Sequence, residues 1–365
     1  MEKPQGAGQA QAAAAGRLRA LPVQIVITER GVVLRRGYTR LSVEGEGALE
    51  AVETIFDRAR DGAQAATILE AIEPEMRETA SHLLERLVAL RLLLPESAEG
   101  GKTADSLERA SDVFYWQHGL KPEEVHARLA ATRIAVVGCN RIGSRMRDTL
   151  TELGFRQVEL IDHPLLRNLE MIEEGDCGGG NGQAPADALD SEAWAAVEPE
   201  FDLLVVTSDF GGLSLIREWN EFALAAELRL LPVVLQDGVG FIGPLVQPGA
   251  GPCYECFLRR QDSHLEEREL MRRTEMAAFF GQIVDGLLPP AASIVADFAA
   301  LELLRHVTGL TPGGLVGHLL EVAPMEPALE RRRLLRVPRC PACSGLRAHP
   351  ARTSRRSVRM PGNEP

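Results

Sequence analysis

The sequence predicts an α/β protein in which a doubly wound parallel sheet follows a small, winged-helix-like α+β domain. From about residue 132 onwards, short apolar runs alternate with segments of helical period, which is typical of a parallel sheet covered by helices. Three strand-like runs and then three helix-like segments fill residues 21–96, the order of a small winged helix. Two widely separated Cys-x-x-Cys pairs indicate a metal clasp that fixes a terminal hairpin.

The N-terminal domain is expected over residues 21–96, after a disordered arm at residues 1–20. Its predicted strands are 21–28, 32–35 and 38–43, and its predicted helical segments are 48–56, 68–72 and 83–92. Glycines at the turns between the strands support this division, because glycine relieves the backbone strain of tight turns. Residues 96–104 have the composition of a linker.

The larger domain is assigned residues 105–343, followed by a disordered tail at residues 344–365. Its first helical stretch is expected to pack on the sheet that follows. The predicted parallel strands are 133–138, 157–162, 202–208 and 231–236, the helices between them 142–153 and 214–226, and the final hairpin 315–322 with 329–337. The Gly/Asn/Pro-rich residues 173–187 are expected to form a mobile loop.

Composition narrows the classes of function. The net charge of −12 argues against nucleic-acid or anionic-membrane partners, and a hydrophobic fraction of 45% is sufficient for two cores. Lysine occurs at Lys3, Lys102 and Lys121 alone, so chemistry that needs a lysine after position 121 has none. The chain shows no long uncharged apolar run and no signal-peptide core, so a cytoplasmic location without a membrane partner is expected.

Four cysteines predict a structural metal site. Cys253 and Cys256 form one Cys-x-x-Cys pair, and Cys340 and Cys343 form the other. Four thiolates supply the tetrahedral ligand set of structural zinc and leave no position for a reactive water. Two redox-active or disulfide pairs are the alternative. The remaining cysteines, at positions 139 and 177, are expected to be ordinary thiols.

A glycine turn suggests the remnant of a nucleotide site. Gly138 ends a predicted strand and Gly143 opens the next helix, as in phosphate-binding turns. Asn140 and Arg141 occupy the middle of the turn, where their side chains are expected to crowd the phosphates. Glycines normally permit close approach of the backbone to phosphate at that point. The turn is therefore expected to bind nucleotide poorly.

Two carboxylates follow neighbouring strands. Asp162 is placed to meet a ribose hydroxyl, and Asp209 to hold a metal ion or a substrate amine. With the glycine turn, Asn168 and the paired cysteines, this order resembles the ThiF-like, ubiquitin-activating-enzyme-like adenylating proteins, whose fold is Rossmann-like. Working members carry an Arg-Gln pair and then a lysine after the asparagine, whereas residues 170–172 are Glu-Met-Ile here. Arg167 can replace one charge, yet the ATP site is expected to be vestigial and ATP not to bind.

A narrower resemblance rests on residues 241–260, with their Gly-Pro-Leu-Val-Gln-Pro-Gly run before the first cysteine pair, and on residues 337–343. Both are similar to the ThiF-like partner proteins of azoline-forming YcaO cyclodehydratases, the leader-peptide-binding components of thiazole/oxazole-modified microcin (TOMM) pathways. Residues 21–94 resemble their PqqD-like recognition element. The resemblance implies a precursor-leader partner, a separate YcaO enzyme that uses ATP, no catalytic residue in this chain, and a possible homodimer.

The same resemblance implies a peptide groove. In the PqqD-like element the leader joins the edge of the third strand beside the last helix, a form of strand addition. The corresponding peptide-binding candidates are Tyr38, Thr39, Arg40, Leu41, Val43, Leu84, Leu87, Val88 and Arg91. The two arginines are expected to meet leader carboxylates. Ordinary core packing for the apolar members and solvated positions for the arginines are the alternatives.

The sequence is compatible with three functions. The first is a non-catalytic partner that binds the leader and presents it to the YcaO enzyme. The second is an active adenylating enzyme acting on a peptide carboxylate, and the third is a scaffold or a transcription-associated winged-helix protein. His264 lies near the first cysteine pair as a candidate general base, although a surface role is the simpler interpretation.

Overall fold

The protein is described here by a computed structural model. The description covers residues 16–95, 110–163, 166–167, 201–214, 216–263, 269–270, 273–274, 286, 288–310 and 314–346. The chain divides into two compact units, residues 1–122 and 123–365, named here the N-terminal and C-terminal units. The expected arm before residue 16, the linker at 96–104, the loop at 173–187, the tail after residue 346, Cys177 and His264 all lie outside the described residues.

The N-terminal unit contains two small antiparallel sheets and a set of helices. Its strands are β1 (Arg17–Ala20), β2 (Gln24–Thr28), β3 (Gly31–Arg36), β4 (Thr39–Glu44), β5 (Ala63–Gln64) and β6 (Leu93–Pro95), and its helices are α1 (Ala48–Ala59), α2 (Ala65–Glu70), α3 (Arg77–Ala89) and α4 (Ala110–Gln117). The strand orders are β5-β1-β6 and β2-β3-β4. The three predicted strands and three predicted helices are therefore present, while their description as a winged helix stays a prediction.

Tight hairpins build the β2-β3-β4 sheet. Thr28 pairs with Gly31, and Arg36 pairs with Thr39, so each loop has two residues. In the second loop Gly37 has φ 56°, a left-handed conformation that glycine adopts without steric cost. This geometry fixes the register of β4 and leaves it as one edge of the sheet.

The β5-β1-β6 sheet corrects the sequence analysis. Residues 17–20 form β1, although they were assigned to the disordered arm. Leu18 is fully buried in the core of the N-terminal unit and anchors this strand. One apolar residue between two arginines is too short a pattern to show strand periodicity, and the pairing partners lie far away in the sequence.

Helix α4 belongs to the N-terminal unit, although the sequence assigned it to the larger domain, and its expected packing on that domain stays a prediction. Trp116 is buried in the N-terminal core, and the guanidinium carbon of Arg36 lies 4.7 Å from the centre of its ring. Cation–π contacts of this kind are favourable when the arginine is withdrawn from water, and Arg36 is 6% exposed. The sequence alone could not reveal this contact, because it joins residues far apart in the chain.

The C-terminal unit contains a seven-stranded mixed sheet. Its strands are β7 (Arg133–Val137), β8 (Gln157–Ile161), β9 (Leu203–Ser208), β10 (Arg229–Gln236), β11 (Val239–Ile242), β12 (His318–Ala323) and β13 (Ala328–Arg333), and its described helices are α5 (Pro122–Ala131), α6 (Arg141–Glu152), α7 (Ile216–Ala225), α8 (Tyr254–Asp262) and α9 (Pro289–Thr308). Helix α5 begins at the last residue of the N-terminal unit.

Topology corrects the expected all-parallel sheet. Strands β8, β7, β9 and β10 are parallel, whereas β11, β12 and β13 continue the sheet in antiparallel order. The predicted terminal hairpin is confirmed as β12 and β13, but it joins the main sheet through β11. A run as short as Val239–Ile242 carries too little pattern to be recognised as a strand.

Helices cover both faces of the parallel strands. Every residue from Ile134 to Val137 and from Leu203 to Ser208 is buried, and successive residues of a strand point to opposite faces. This continuous burial explains the uninterrupted apolar runs in the sequence. Among the described residues, no helix combines the length and apolar character needed to cross a membrane.

Candidate functional site

The cysteine pairs meet inside the C-terminal unit. Cys253 stands at the N-cap of α8 and Cys256 lies in the first turn of that helix. Cys340 and Cys343 lie in the turns after β13. All four are at most 3% exposed and belong to the hydrophobic core of this unit. Helix α8 and the segment after the terminal hairpin are therefore joined at one cluster.

The sulfur geometry fits a tetrahedral metal ion. The Sγ–Sγ distance is 3.9 Å for Cys253 and Cys256, 3.8 Å for Cys253 and Cys340, and 3.6 Å for Cys256 and Cys343. All four Sγ atoms lie within 4.8 Å of one another. A tetrahedron with metal–sulfur bonds of about 2.3 Å has edges of roughly 3.8 Å. The predicted four-cysteine cluster is thus present and can hold a metal ion.

Two further groups donate to the sulfurs. Arg336 Nε lies 3.3 Å from the Cys343 Sγ, and the same guanidinium also bonds the Cys343 carbonyl oxygen. The Val337 N–H lies 3.4 Å from the Cys256 Sγ. Positive charge and N–H donors near the ligands stabilise thiolate sulfur. The sequence analysis did not identify Arg336, whose signal was an arginine shortly before a cysteine pair.

The thiols also alter one another's acidity. The hydrogen bond from the Cys253 thiol, with a smaller contribution from Val337, lowers the pKa of Cys256 to about 5. The same bond, and then burial, raises the pKa of Cys253, while burial raises the pKa of Cys340. Because metal ions bind thiolates, a cluster with one readily ionised thiol is suited to a thiophilic cation.

The interior of the glycine turn contains the side chain of Asn140, which was expected to crowd the phosphates. Asn140 is fully buried: its Nδ2 donates to the carbonyl oxygens of Leu166 at 3.0 Å and Thr207 at 2.9 Å, and its Oδ1 accepts the Gly143 N–H at 2.9 Å. The side chain therefore caps α6 from inside the protein. Crowding of a phosphate by Asn140, expected from the sequence, is wrong because this side chain points inward.

Asp209 takes the position of an anion at the start of α6. Its Oδ2 accepts the Arg141 N–H at 2.8 Å, and the residue is only 2% exposed. The N-terminus of a helix attracts anions through its unpaired N–H groups and its dipole. A carboxylate from the end of β9 already supplies that negative charge here.

The expected ribose carboxylate is also engaged. Asp162 follows β8, and its two carboxylate oxygens accept the Nε of Arg167 at 2.7 and 2.8 Å. The Nη2 of Arg167 bonds the same carboxylate. The two charges therefore compensate each other. The structure brings the other candidates of this site to the carboxyl ends of β7, β8 and β9, and Asn168 lies outside the described residues.

The candidate peptide edge is partly open. Within the described residues β4 pairs with β3 alone. In a two-residue hairpin the pair beside the loop is hydrogen bonded, so alternation turns the main-chain groups of Arg40 and Ser42 away from β3. Both side chains are exposed, and Tyr38 at the hairpin tip is 87% exposed. The edge therefore offers unpaired main-chain donors and acceptors of the kind used in strand addition.

The other groove candidates separate by burial. Leu87 is fully buried and Leu84 is 4% exposed, so these two belong to the core and not to a peptide-contacting surface. Thr39, Leu41, Val43 and Val88 are half-buried, the last three against the same core, whereas Arg40 and Arg91 are exposed. Alternation of β4 and the helical period of α3 account for this division.

Comparisons with known proteins establish the fold. The sequence matches no protein-family model and no curated protein. In structure the chain is similar to the microcin C7 biosynthetic enzyme MccB in complex with N-formylated MccA, with a TM-score of 0.61 and 18% identity over 90% of this chain and 99% of that chain. It is also similar to Escherichia coli MccB with ATP, with a TM-score of 0.59 and 17% identity over 90% and 99% of the two chains.

A third similar structure is the heterocyclase TruD, with a TM-score of 0.57 and 18% identity. This similarity covers 90% of the present chain and 42% of TruD. At such identities the likeness shows the fold alone, that of an α/β protein, over 90% of this chain. The described sites available to a functional argument are the four-cysteine cluster, the glycine turn and the edge of β4.

Proposed function

We propose that this chain binds the leader of a precursor peptide and presents that peptide to a separate YcaO cyclodehydratase, in the biosynthesis of thiazole/oxazole-modified peptides. Its N-terminal unit would act as the PqqD-like, winged-helix recognition element. Its C-terminal unit would be a ThiF-like, Rossmann-like docking body. The fold it shares with the biosynthetic enzyme MccB and the heterocyclase TruD supports a role in the maturation of ribosomally made peptides.

The observation that carries the proposal is the edge of β4. A leader that adds to this edge would pair with the outward main-chain groups of Arg40 and Ser42. Tyr38 and Arg40 would contact its side chains, together with Arg91, while the half-buried Leu41, Val43 and Val88 form the apolar base. Main-chain pairing would supply affinity, and the alternating side chains would supply specificity.

The charge at the start of α6 supports the proposal that this chain does not use ATP for catalysis of its own. A triphosphate there would approach the buried Asp209 carboxylate, which already accepts the Arg141 N–H. Like charges at that distance oppose binding. No lysine occurs in the sequence after Lys121 to offset the repulsion. ATP would be used by the YcaO enzyme.

The alternative function is an ATP-dependent adenylating enzyme that acts on a peptide carboxylate. One observation favours it: the chain is similar over 90% of its length to a structure of MccB with ATP. In this case Asp209 would leave the helix terminus and hold a metal ion beside the phosphates. The two functions therefore differ in whether the Asp209 carboxylate accepts the Arg141 N–H or binds a metal ion.

The cysteine cluster is proposed to hold structural zinc. Four buried thiolates close the coordination sphere, so zinc would fix the terminal hairpin without taking part in a reaction. We further propose a cytoplasmic location, where the thiols stay reduced, and a homodimer by analogy with adenylating proteins of this fold.

A proline substitution at the edge of β4 tests leader binding. The probe is a fluorescein-labelled leader half of a short Cys/Ser/Thr-rich precursor encoded beside a YcaO gene in the same genome. Ser42→Pro removes an outward N–H and no bond to β3, so we expect at least a tenfold weaker Kd in fluorescence polarisation. Ser42→Ala keeps the N–H and is the matched control. Equal affinity of both variants and the wild type would exclude strand addition at β4.

Nucleotide measurements test the alternative. Isothermal titration with Mg-ATP should give no heat of binding at micromolar nucleotide concentrations, and the protein should not exchange pyrophosphate into ATP in the presence of the precursor. Binding or exchange that disappears in Asp209→Asn would assign the adenylating function instead. If the carboxylate repels phosphate, Asp209→Asn should bind ATP more tightly than the wild type.

A further inference from the structure

A recessed cleft in the C-terminal unit lies beside the first cysteine pair and has no part in the proposed function. Its volume is about 510 Å³. Arg217 from the first turn of α7 and Arg259 and Arg260 from α8 line it, with Val337 and Pro338 on the segment after β13. Three guanidinium groups therefore meet at one concavity of a chain whose net charge is −12.

Two of these arginines are held by a buried carboxylate. Glu255 is 5% exposed, and its Oε1 accepts the Arg259 Nε at 2.7 Å. Its Oε2 lies 2.7 Å from the Arg217 Nε, an ion pair in which the N–H direction departs from a straight hydrogen bond. Glu255 is therefore hydrogen bonded to Arg259 through Oε1 and ion-paired with Arg217 through Oε2.

The third arginine is fixed in a similar way. The Arg260 Nε donates to the carbonyl oxygen of Leu335 at 2.8 Å. When the Nε of an arginine is bound, the plane of its guanidinium is set and the terminal Nη groups keep the geometry that binds two oxygens at once. Ordinary solvated surface arginines are not tied down by a buried carboxylate.

Charge in the cleft favours an anion. Glu255 forms ion pairs with Arg217 and Arg259, and Arg260 and Asp262 also line the cleft. Among the described residues that line the cleft, three carry positive charge and two carry negative charge. In the neighbouring cysteine cluster, Arg336 donates to the Cys343 sulfur.

Shape selects the kind of anion. The cleft is far larger than a single inorganic ion, whose share of space is about that of a few waters, each of about 30 Å³. Val337 and Pro338 give it an apolar side next to the arginines. An extended chain that carries carboxylates on short aliphatic stems matches both walls. We propose that this cleft binds the carboxylates of an acidic peptide segment.

The test uses the full chain and two labelled probes. Fluorescence anisotropy is measured with fluorescein-labelled hexaglutamate and with hexaglutamine of the same length. We expect hexaglutamate to bind and hexaglutamine not to bind. Arg259→Gln should weaken hexaglutamate binding at least tenfold, because it removes a charge-assisted pair with the probe. Arg156→Gln, an exposed arginine before β8, is the matched control and should bind as the wild type does.

Folding and ligand source are controlled separately. Arg259→Gln leaves the buried Glu255 with one partner, so Arg260→Gln, which removes one bond to a carbonyl oxygen, is the second variant. It should also weaken binding at unchanged thermal unfolding. Unchanged affinity in both variants overturns the proposal. Displacement of hexaglutamate by inorganic phosphate or free succinate at equal carboxylate or phosphate concentration also overturns it, because the cleft would then serve a small anion.

Discussion

Asn140 joins three parts of the C-terminal unit through one side chain. Its amide nitrogen reaches the carbonyl oxygens of Leu166 and Thr207, and its amide oxygen accepts the Gly143 N–H. Gly143 has no room for a side chain, because a Cβ there would lie 2.1 Å from the Gly138 carbonyl oxygen. The turn is therefore built around a buried asparagine whose amide nitrogen and oxygen are both hydrogen bonded.

We expect Asn140→Ala to lower the free energy of unfolding by about 2–4 kcal/mol. The change removes an N-cap, typically about 1 kcal/mol, and leaves buried carbonyl oxygens without a donor at about 1–3 kcal/mol. Urea unfolding followed by tryptophan fluorescence measures the effect. Thr151→Ala, on the exposed side of the same helix, should change stability by less than 0.5 kcal/mol or so. A loss no larger in Asn140→Ala would contradict the described hydrogen bonds.

Residue-level burial shows where sequence reasoning stops. The pattern of β4 correctly separated the half-buried Leu41 and Val43 from the exposed Arg40. The sequence could not show that Leu84 and Leu87 lie in the core, because helix residues that face a groove and helix residues that face the core have the same spacing. The buried pairing of Asn140 with Thr207 depends on a strand that comes much later in the chain.

At the scale of an element, α9 carries a histidine whose surroundings oppose its protonation. Burial, and then the positive charge of Arg229, lowers the pKa of His306 to about 4. His306 lies in the last turn of the helix, where the dipole alone would favour a cation. Desolvation outweighs that effect, so the folded protein keeps His306 neutral.

Stability should therefore fall with acid through this histidine. The unfolded chain takes up the proton near pH 6.5 and the folded chain near pH 4, so the loss develops as pH falls from about 6.5 to about 4. We expect His306→Gln to reduce the pH dependence of the unfolding free energy in this window by about 1–3 kcal/mol. Exposed His82→Gln is the control. Parallel pH curves for His306→Gln and the wild type would contradict the assignment.

The cluster between α8 and the segment after β13 predicts a dependence on metal. We expect one zinc ion per chain by atomic emission after purification without chelator. Cys340→Ser should reduce that content to near zero and lower the midpoint of thermal unfolding by roughly 10 °C or more, because structural zinc contributes strongly to folding. Cys139→Ser, a buried cysteine outside the cluster, should retain the metal. Full zinc content in Cys340→Ser would rule out the four-cysteine site.

At the scale of the molecule, the metal should stabilise the C-terminal unit selectively. All four ligands belong to the core of that unit. We expect a chelator to speed amide hydrogen exchange in α8 and residues 334–346, while β2, β3 and β4 of the N-terminal unit keep their exchange rates. Mass spectrometry of peptic fragments measures both. Equal acceleration in the two units would show that stability is shared between them.

Sequence patterns predicted the larger architecture better than its edges. Buried parallel strands such as β7 and β9 were recognised because continuous burial writes an uninterrupted apolar run. The paired cysteines predicted their own cluster because ligand chemistry requires four sulfurs together. Strands β1, β5, β6 and β11 were missed because short pairings depend on neighbours supplied by the rest of the fold. Because β11 was not recognised, the antiparallel part of the mixed sheet was not predicted.

The distance in sequence between the two cysteine pairs has a consequence for biosynthesis. As the chain leaves the ribosome, Cys253 and Cys256 emerge long before Cys340 and Cys343, with α9 and the β12–β13 hairpin made in between. During that interval the nascent protein carries two neighbouring thiols that no second pair protects from oxidation. Its maturation should therefore depend on a reducing environment and on timely delivery of the metal.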